Sequence, residues 1–205
     1  MFPDQNFSTI ASFMDAYHEV ISIASSSVDR SQMQLAATLL IEAYKSKHFV
    51  WVCGNGGSAS IANHLVCDHA KGARSSTSLR PRVTSLVSNM EIVTAISNDI
   101  SYDDIFAYQL ENLAQANDIL IMISSSGDSE NIIKACDWAN KNKLRTIALT
   151  GFSGGRLKEK ADVNLHVKAE NYGIIEDIHQ SLMHMLAQFI RLSEMDPAKI
   201  RDTKF

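Results

Sequence analysis

Asp118-Ile-Leu-Ile-Met-Ile-Ser-Ser-Ser-Gly-Asp-Ser129 governs how the rest of the chain is read. Five apolar residues in a row stop abruptly at three serines and a glycine, and a helical stretch, Ser129–Asn142, follows at once. A short, continuously apolar run bounded by turn residues reads as a strand buried on both faces. Working outward, the same grammar recurs. Phe49-Val-Trp-Val-Cys53 ends in Gly54-Asn55-Gly56-Gly57-Ser58, and Arg145-Thr-Ile-Ala-Leu-Thr150 ends at Gly151. Val83–Val87 and Asn164–Val167 are shorter strands. Helical stretches lie between them at Ser58–Lys71, Met90–Ser97 and Ile105–Ala116, and a long one closes the region from about Ile174 to Ser193. Strands alternating with helices specify a single doubly wound α/β domain, with a five-stranded parallel sheet covered by helices on both faces.

Upstream, Ile10, Phe13, Met14, Tyr17, Val20 and Ile21 recur at three- and four-residue steps, and a second helix is expected over Ser31–Tyr44. Residues 1–47 therefore read as an N-terminal helical extension, 48–195 as the α/β domain and 196–205 as a C-terminal tail. A composition of 45% hydrophobic and 20% charged residues fits a globular chain rather than a disordered one. The net charge of −4 argues against a general nucleic-acid partner. Nothing approaches the ~20 apolar residues of a membrane span. Cys53, Cys67 and Cys136 have no metal-type spacing and fit no complete disulfide framework, so we expect reduced thiols. Met-Phe-Pro-Asp-Gln-Asn has no basic start or apolar run, so we expect no secretion signal and a cytoplasmic location.

In an open α/β sheet, ligands bind where strand ends lead into helix N-termini. Gly54–Ser58 allows close backbone approach, but it matches neither the dinucleotide fingerprint nor the P-loop. Ser124–Ser129 is the stronger signal. Four hydroxyls and free backbone N–H groups converge at the positive end of a helix dipole, which suits a phosphate monoester. The competing reading is that Ser126, Asp128 or Ser129 merely caps the helix, for which one hydroxyl suffices. His64 and Asp68, four apart, share a helix face and suit metal ligation or a coupled acid–base pair. On the last helix Glu176, His179 and His184 interrupt an apolar ladder of Ile175, Ile178, Leu182, Leu186 and Phe189. Lys71, Arg74, Arg80 and Arg82 read as a solvated basic loop.

Taken in order, Gly54–Ser58, His64 with Asp68, Ser97-Asn98-Asp99, Ile123–Ser129, Ala148–Gly155, and Glu176–His179 with His184 resemble the sugar isomerase (SIS) superfamily. Within it they are most similar to the phosphoheptose isomerase family. The resemblance implies an aldose–ketose isomerase acting on sedoheptulose 7-phosphate, supplying heptose for lipopolysaccharide or capsule. It implies one Zn²⁺ per subunit and a homotetramer with sites between subunits. Carried over by position, the metal ligands fall on His64, Asp68, Glu176 and His184. The substrate contacts fall on Asn55, Gly56, Gly57, Ser58, Asp68, Asn98, Asp99, Ser124, Ser125, Ser126, Ser129 and Glu176. Asp68 stands where the family carries a glutamate, Glu176 where it carries a glutamine, and Gly173 where it carries an aspartate. Carboxylate oxygen is an acceptable zinc ligand at both changed ligand positions. Glu176 and His184, however, lie ~12 Å apart along an ideal helix. Either Glu176 sits at a frayed helix start, or the ion draws ligands from other segments, or His179 substitutes.

Isomerisation through an enediol needs an acid, a base and oxyanion stabilisation. The expected catalytic pair is Asp68 and His184. Two alternatives stand beside this reading. One is isomerisation of another phosphosugar, and the other is a non-catalytic phosphosugar-binding regulator. A nucleotide-binding oxidoreductase is disfavoured because its glycine fingerprint is missing.

Overall fold

Each apolar run becomes a strand because its alternate residues bury into opposite layers. In this computed structural model, which describes residues 2–204, the elements run α1 (Ile10–Ser26), α2 (Arg30–Ser46), β1 (Phe49–Gly54), α3 (Gly57–Cys67), β2 (Arg82–Ser85), α4 (Met90–Asp99) and α5 (Ala107–Leu113). They continue as β3 (Ile119–Ser124), α6 (Glu130–Lys141), β4 (Arg145–Thr150), α7 (Leu157–Lys160), β5 (Val163–His166) and α8 (Tyr172–Glu194). The five strands form one parallel sheet in the order β2-β1-β3-β4-β5.

Val50, Val52, Ile119, Ile121, Ile123, Ile147 and Leu149 face one layer, where they pack with α2, α3 and α8. Trp51, Cys53, Leu120, Met122 and Ala148 face the other, with α4, α5 and α6. The N-terminal α2 is part of the first core: Ala36, Leu40 and Tyr44 are buried in it. Residues 1–47 thus include a helix that covers the sheet. Among the described residues no helix is long and apolar enough to cross a membrane.

Capping explains where several expected boundaries moved. Asp118, expected inside a strand, instead precedes β3: its buried carboxylate accepts from Phe49 N–H at 2.9 Å, Trp51 Nε1–H at 2.9 Å and Gln115 N–H at 3.0 Å. Asn171 accepts from Ile174 N–H and so starts α8 at Tyr172, two residues early. The expected helix over Ser58–Lys71 is α-helical only to Cys67, and Asp68–Ala73 then form a π turn. The helix expected over Ile105–Ala116 is shortened to α5, and a separate 3-10 turn at Tyr102–Asp104 precedes it.

Candidate functional site

The strand order reverses direction between β1 and β3, because the chain passes from β1 outward to β2 and then returns to the far side of β1. At such a switch point two neighbouring strand-end loops diverge and open a crevice. Gly54–Ser58 and Ser124–Ser129 are those two loops. A reciprocal amide pair joins their elements: Asn55 Nδ2–H donates to Asn131 Oδ1 at 2.9 Å and Asn131 Nδ2–H donates back at 3.0 Å. The Tyr102 hydroxyl also donates to Asn55 Oδ1.

Between the loops lies a cavity of about 140 Å³ lined by Asn55, Ser58, Ile123, Ser124, Ser125, Ser126, Ser129, Tyr172 and Glu176. The helix-cap reading of the serines does not describe this loop. Ser129 stands at the N-cap of α6 with no side-chain cap bond, while Ser124 Oγ accepts from Gly127 N–H at 3.1 Å and Ser126 Oγ from Asp128 N–H. Ser125 Oγ is buried and has no hydrogen-bond partner among the described residues. Gly127 is required twice over: its φ of +67° is left-handed, and a β-carbon there would collide with the Gly154 carbonyl. Arg156 anchors the loop from outside, its guanidinium on the carboxylates of Asp128 and Glu130. That contact holds the Asp128 carboxyl below its ordinary range.

A second constellation forms where α3 and α8 pack side by side. Asp68 lies between two imidazoles, 3.5 Å from His64 Nε2 and 3.2 Å from His184 Nδ1. Gln180 closes the circuit on the opposite side, its amide 3.3 Å from His64 Nδ1 and 2.7 Å from His184 Nε2. One donor atom from each of His64, Asp68 and His184 can be chosen such that all lie within 4.8 Å of one another. Two imidazoles and a carboxylate, partly open to solvent, form a donor set that fits Zn²⁺ with a position left for a ligand. Gln180 was not singled out in the sequence. Its signal was legible, since Gln180 and His184 repeat on α8 the four-residue spacing of His64 and Asp68 at the end of α3.

The other expected site residues fall elsewhere. Glu176, one turn before Gln180, is outside the three-residue donor group. Its carboxylate lies against Gly57, where any β-carbon would strike it, and faces the serine cavity. His179 is fully buried and donates from Nε2 to the Thr150 carbonyl at 3.2 Å. Burial lowers its pKa to about 4, so it is a neutral core histidine. Asn98 and Asp99 are exposed at the C-terminal end of α4, bonded to each other, and neither lines the serine cavity. Of the glycines, Gly56 has a left-handed φ of +54° and Gly57 opens α3. Arg82, from the basic stretch, stacks over the Phe49 ring.

Comparison with known proteins bears on the family and the fold. Residues 12–151 match the SIS domain family. A phosphoheptose isomerase of Nitratiruptor sp. is 35% identical over 161 residues, covering 78% of this chain and 86% of that protein. One of Helicobacter pylori is 37% identical over 155 residues, covering 74% and 79%. Among solved structures, a phosphoheptose isomerase from Francisella tularensis is similar with a TM-score of 0.80 at 30% identity, over 89% of this chain and 96% of that one.

Proposed function

The chain belongs to the SIS domain family, and on that premise we propose that it is a phosphosugar aldose–ketose isomerase converting sedoheptulose 7-phosphate to D-glycero-D-manno-heptose 7-phosphate. The observation that carries the reading is Ser125. A buried hydroxyl without a partner costs roughly 1–3 kcal/mol, and a phosphate oxygen in the serine cavity would satisfy it. The dipole of α6 favours the same anion.

The separation of the two constellations favours a long substrate. Ser58 and His64 are six residues apart on α3, ~9 Å along an ideal helix. A phosphate held at the serine end leaves the far end of an extended sugar chain at the histidine end. Binding there fixes the reacting carbons beside the acid–base pair, which lowers the entropic part of the barrier. In our reading Asp68 and His184 share the proton transfers. One takes the proton from C1 of the ketose while the other protonates the C2 oxygen. The enediol then accepts a proton at C2 and releases the one on the C1 oxygen, which leaves the aldose. His64, Asp68 and His184 would hold the metal, with Gln180 orienting both imidazoles. When bound, Zn²⁺ supplies Lewis acidity for polarising the carbonyl. Glu176, at the edge of the serine cavity, faces the sugar hydroxyls.

The same reading includes a homotetramer in the cytoplasm with sites between subunits. Self-association is supported by two apolar surface grooves, one of about 810 Å³ between α2 and α8 containing Met33, Met185, Phe189 and Leu192, the other between α4 and α5. The test is conversion in D₂O followed by NMR. The reading expects aldoheptose 7-phosphate with deuterium at C2. Conversion of a pentulose or hexulose phosphate instead would move the substrate and keep the reaction class; conversion of none would overturn the isomerase reading.

A further inference from the structure

Immediately after Asp68 the chain does something that neither the serine loop nor the proton transfers require. His69 turns inward and is completely buried, and its Nδ1 lies 2.6 Å from the hydroxyl of Tyr44, itself 1% exposed, on α2. The two rings meet edge-on with centroids 5.9 Å apart. Around them the cluster is apolar, with Leu40, Leu65, Ala73 and Leu79 in the same core. Among the described residues His69 Nε2 has no hydrogen-bond partner. An apolar pair of the same shape would fill this space at no polar cost, because a buried polar group left unsatisfied is penalised and an apolar replacement of both partners is nearly neutral. Packing therefore does not account for the pair.

What a hydrogen bond adds to packing is direction. Successive residues of a helical turn are rotated by a fixed angle about its axis. Fixing His69 toward α2 therefore fixes where Asp68 points, and it points at His64 and His184. The restraint acts where the ladder of α3 ends: Asp68 N–H still bonds the His64 and Leu65 carbonyls, and the π turn Asp68–Ala73 begins with it. Such turns are rare and recur at functional sites. Rewinding this one to an α-helix would shift the residues after Asp68 and draw His69 away from Tyr44, leaving the last turn of α3, on which Asp68 sits, without its anchor on α2. We propose that the buried Tyr44–His69 hydrogen bond is a positioning device that holds the π turn in register and so sets the Asp68 carboxylate between His64 and His184. Through it α2, which touches neither cavity nor donor group, shapes the metal and acid–base centre. The inference rests on the reading of Asp68 given above.

The experiment replaces both partners with apolar groups of similar shape, Tyr44→Phe together with His69→Leu, and follows melting temperature, zinc affinity by competition with a chromogenic chelator, and the crystal structure. The variant should melt within a few degrees of the parent, since the polar groups leave together. Zinc affinity should fall about tenfold or more, the scale seen when supporting partners of metal ligands are removed. The crystal structure should show Asp68 displaced from between the two rings. In turnover, kcat should fall while KM for the phosphosugar stays close to the parent's, because the serine loop is untouched. Tyr44→Phe alone, which removes one hydroxyl, should shift zinc affinity in the same direction and serves if the double variant does not fold. Zinc affinity within twofold of the parent's, with Asp68 still between the imidazoles, would overturn the proposal. If the parent chain takes up no zinc, the metal reading fails, and the position of Asp68 in the variant crystal still decides the role of the pair.

Discussion

His184 touches Asp68 through one ring nitrogen and Gln180 through the other, so its substitution removes both an acid–base group and a metal ligand while leaving the surrounding helix intact. His184→Gln should lower kcat by at least about a hundredfold, with a melting temperature within a few degrees of the parent's because the side chain is part-exposed. Ser125→Ala should act in the opposite sense on stability and on substrate. Removing an unpartnered buried hydroxyl should leave the melting temperature unchanged or raise it, while KM rises about tenfold through loss of one charge-assisted hydrogen bond. A third residue sets a pH dependence. His179 is neutral in the fold, with its pKa lowered by burial to about 4. Acidification from pH 7 lets the unfolded chain bind a proton at its ordinary value near 6.5 that the folded chain refuses. Stability is thus lost as pH falls below about 6.5 and levels off near 4, by about 2 kcal/mol at pH 5 from this group alone. Urea unfolding at pH 7 and pH 5 measures it together with the similar contribution of His69, whose pKa burial also lowers to about 4, and equal midpoints would contradict the assignment. At this scale the sequence disclosed residue types and spacings but not directions. His64, Asp68 and His184 were legible as a group, whereas Glu176 and Gln180, one turn apart on the same face of α8, could not be told apart: Glu176 meets Gly57 at the start of α3 and Gln180 meets His64 further along it, a difference set by where along α3 the helix α8 docks.

At the scale of elements, the serine loop is held in shape by Gly127 and by Arg156 from the neighbouring loop. Gly127→Ala introduces a β-carbon at a left-handed residue and against the Gly154 carbonyl. Left-handed strain of about 1–2 kcal/mol plus displacement of the backbone should lower stability by about 2–4 kcal/mol and weaken phosphosugar binding together; a variant with unaltered unfolding midpoint and KM would show that the loop is not so constrained. The apolar runs of β1, β3 and β4 were legible because burial on both faces demands continuous hydrophobicity. Element ends were not. Asp118 looks like the start of a strand until its three donors are seen, and the π turn after Cys67 has no sequence signature apart from a histidine that proves to be buried. The long α8 began earlier than its apolar ladder suggested because Asn171 supplies the cap.

For the whole molecule, alternation of strands and helices was enough to specify a doubly wound sheet, and the order β2-β1-β3-β4-β5 then places the two serine- and glycine-rich loops side by side at the reversal. Composition said nothing of the surface grooves along α2–α8 and α4–α5, since amphipathic helices look alike whether their second apolar edge meets solvent or another chain. The central claim joins a phosphate-binding crevice to a metal-dependent acid–base centre within one reaction. It is tested most directly by following aldoheptose 7-phosphate formation from sedoheptulose 7-phosphate by metal-analysed protein, before chelation, after it and after zinc is restored. Turnover should be lost with the metal and return with zinc. Turnover that persists in full after the metal has been stripped would contradict the role given to His64, Asp68 and His184, and no turnover in the zinc-loaded protein would contradict the reaction itself.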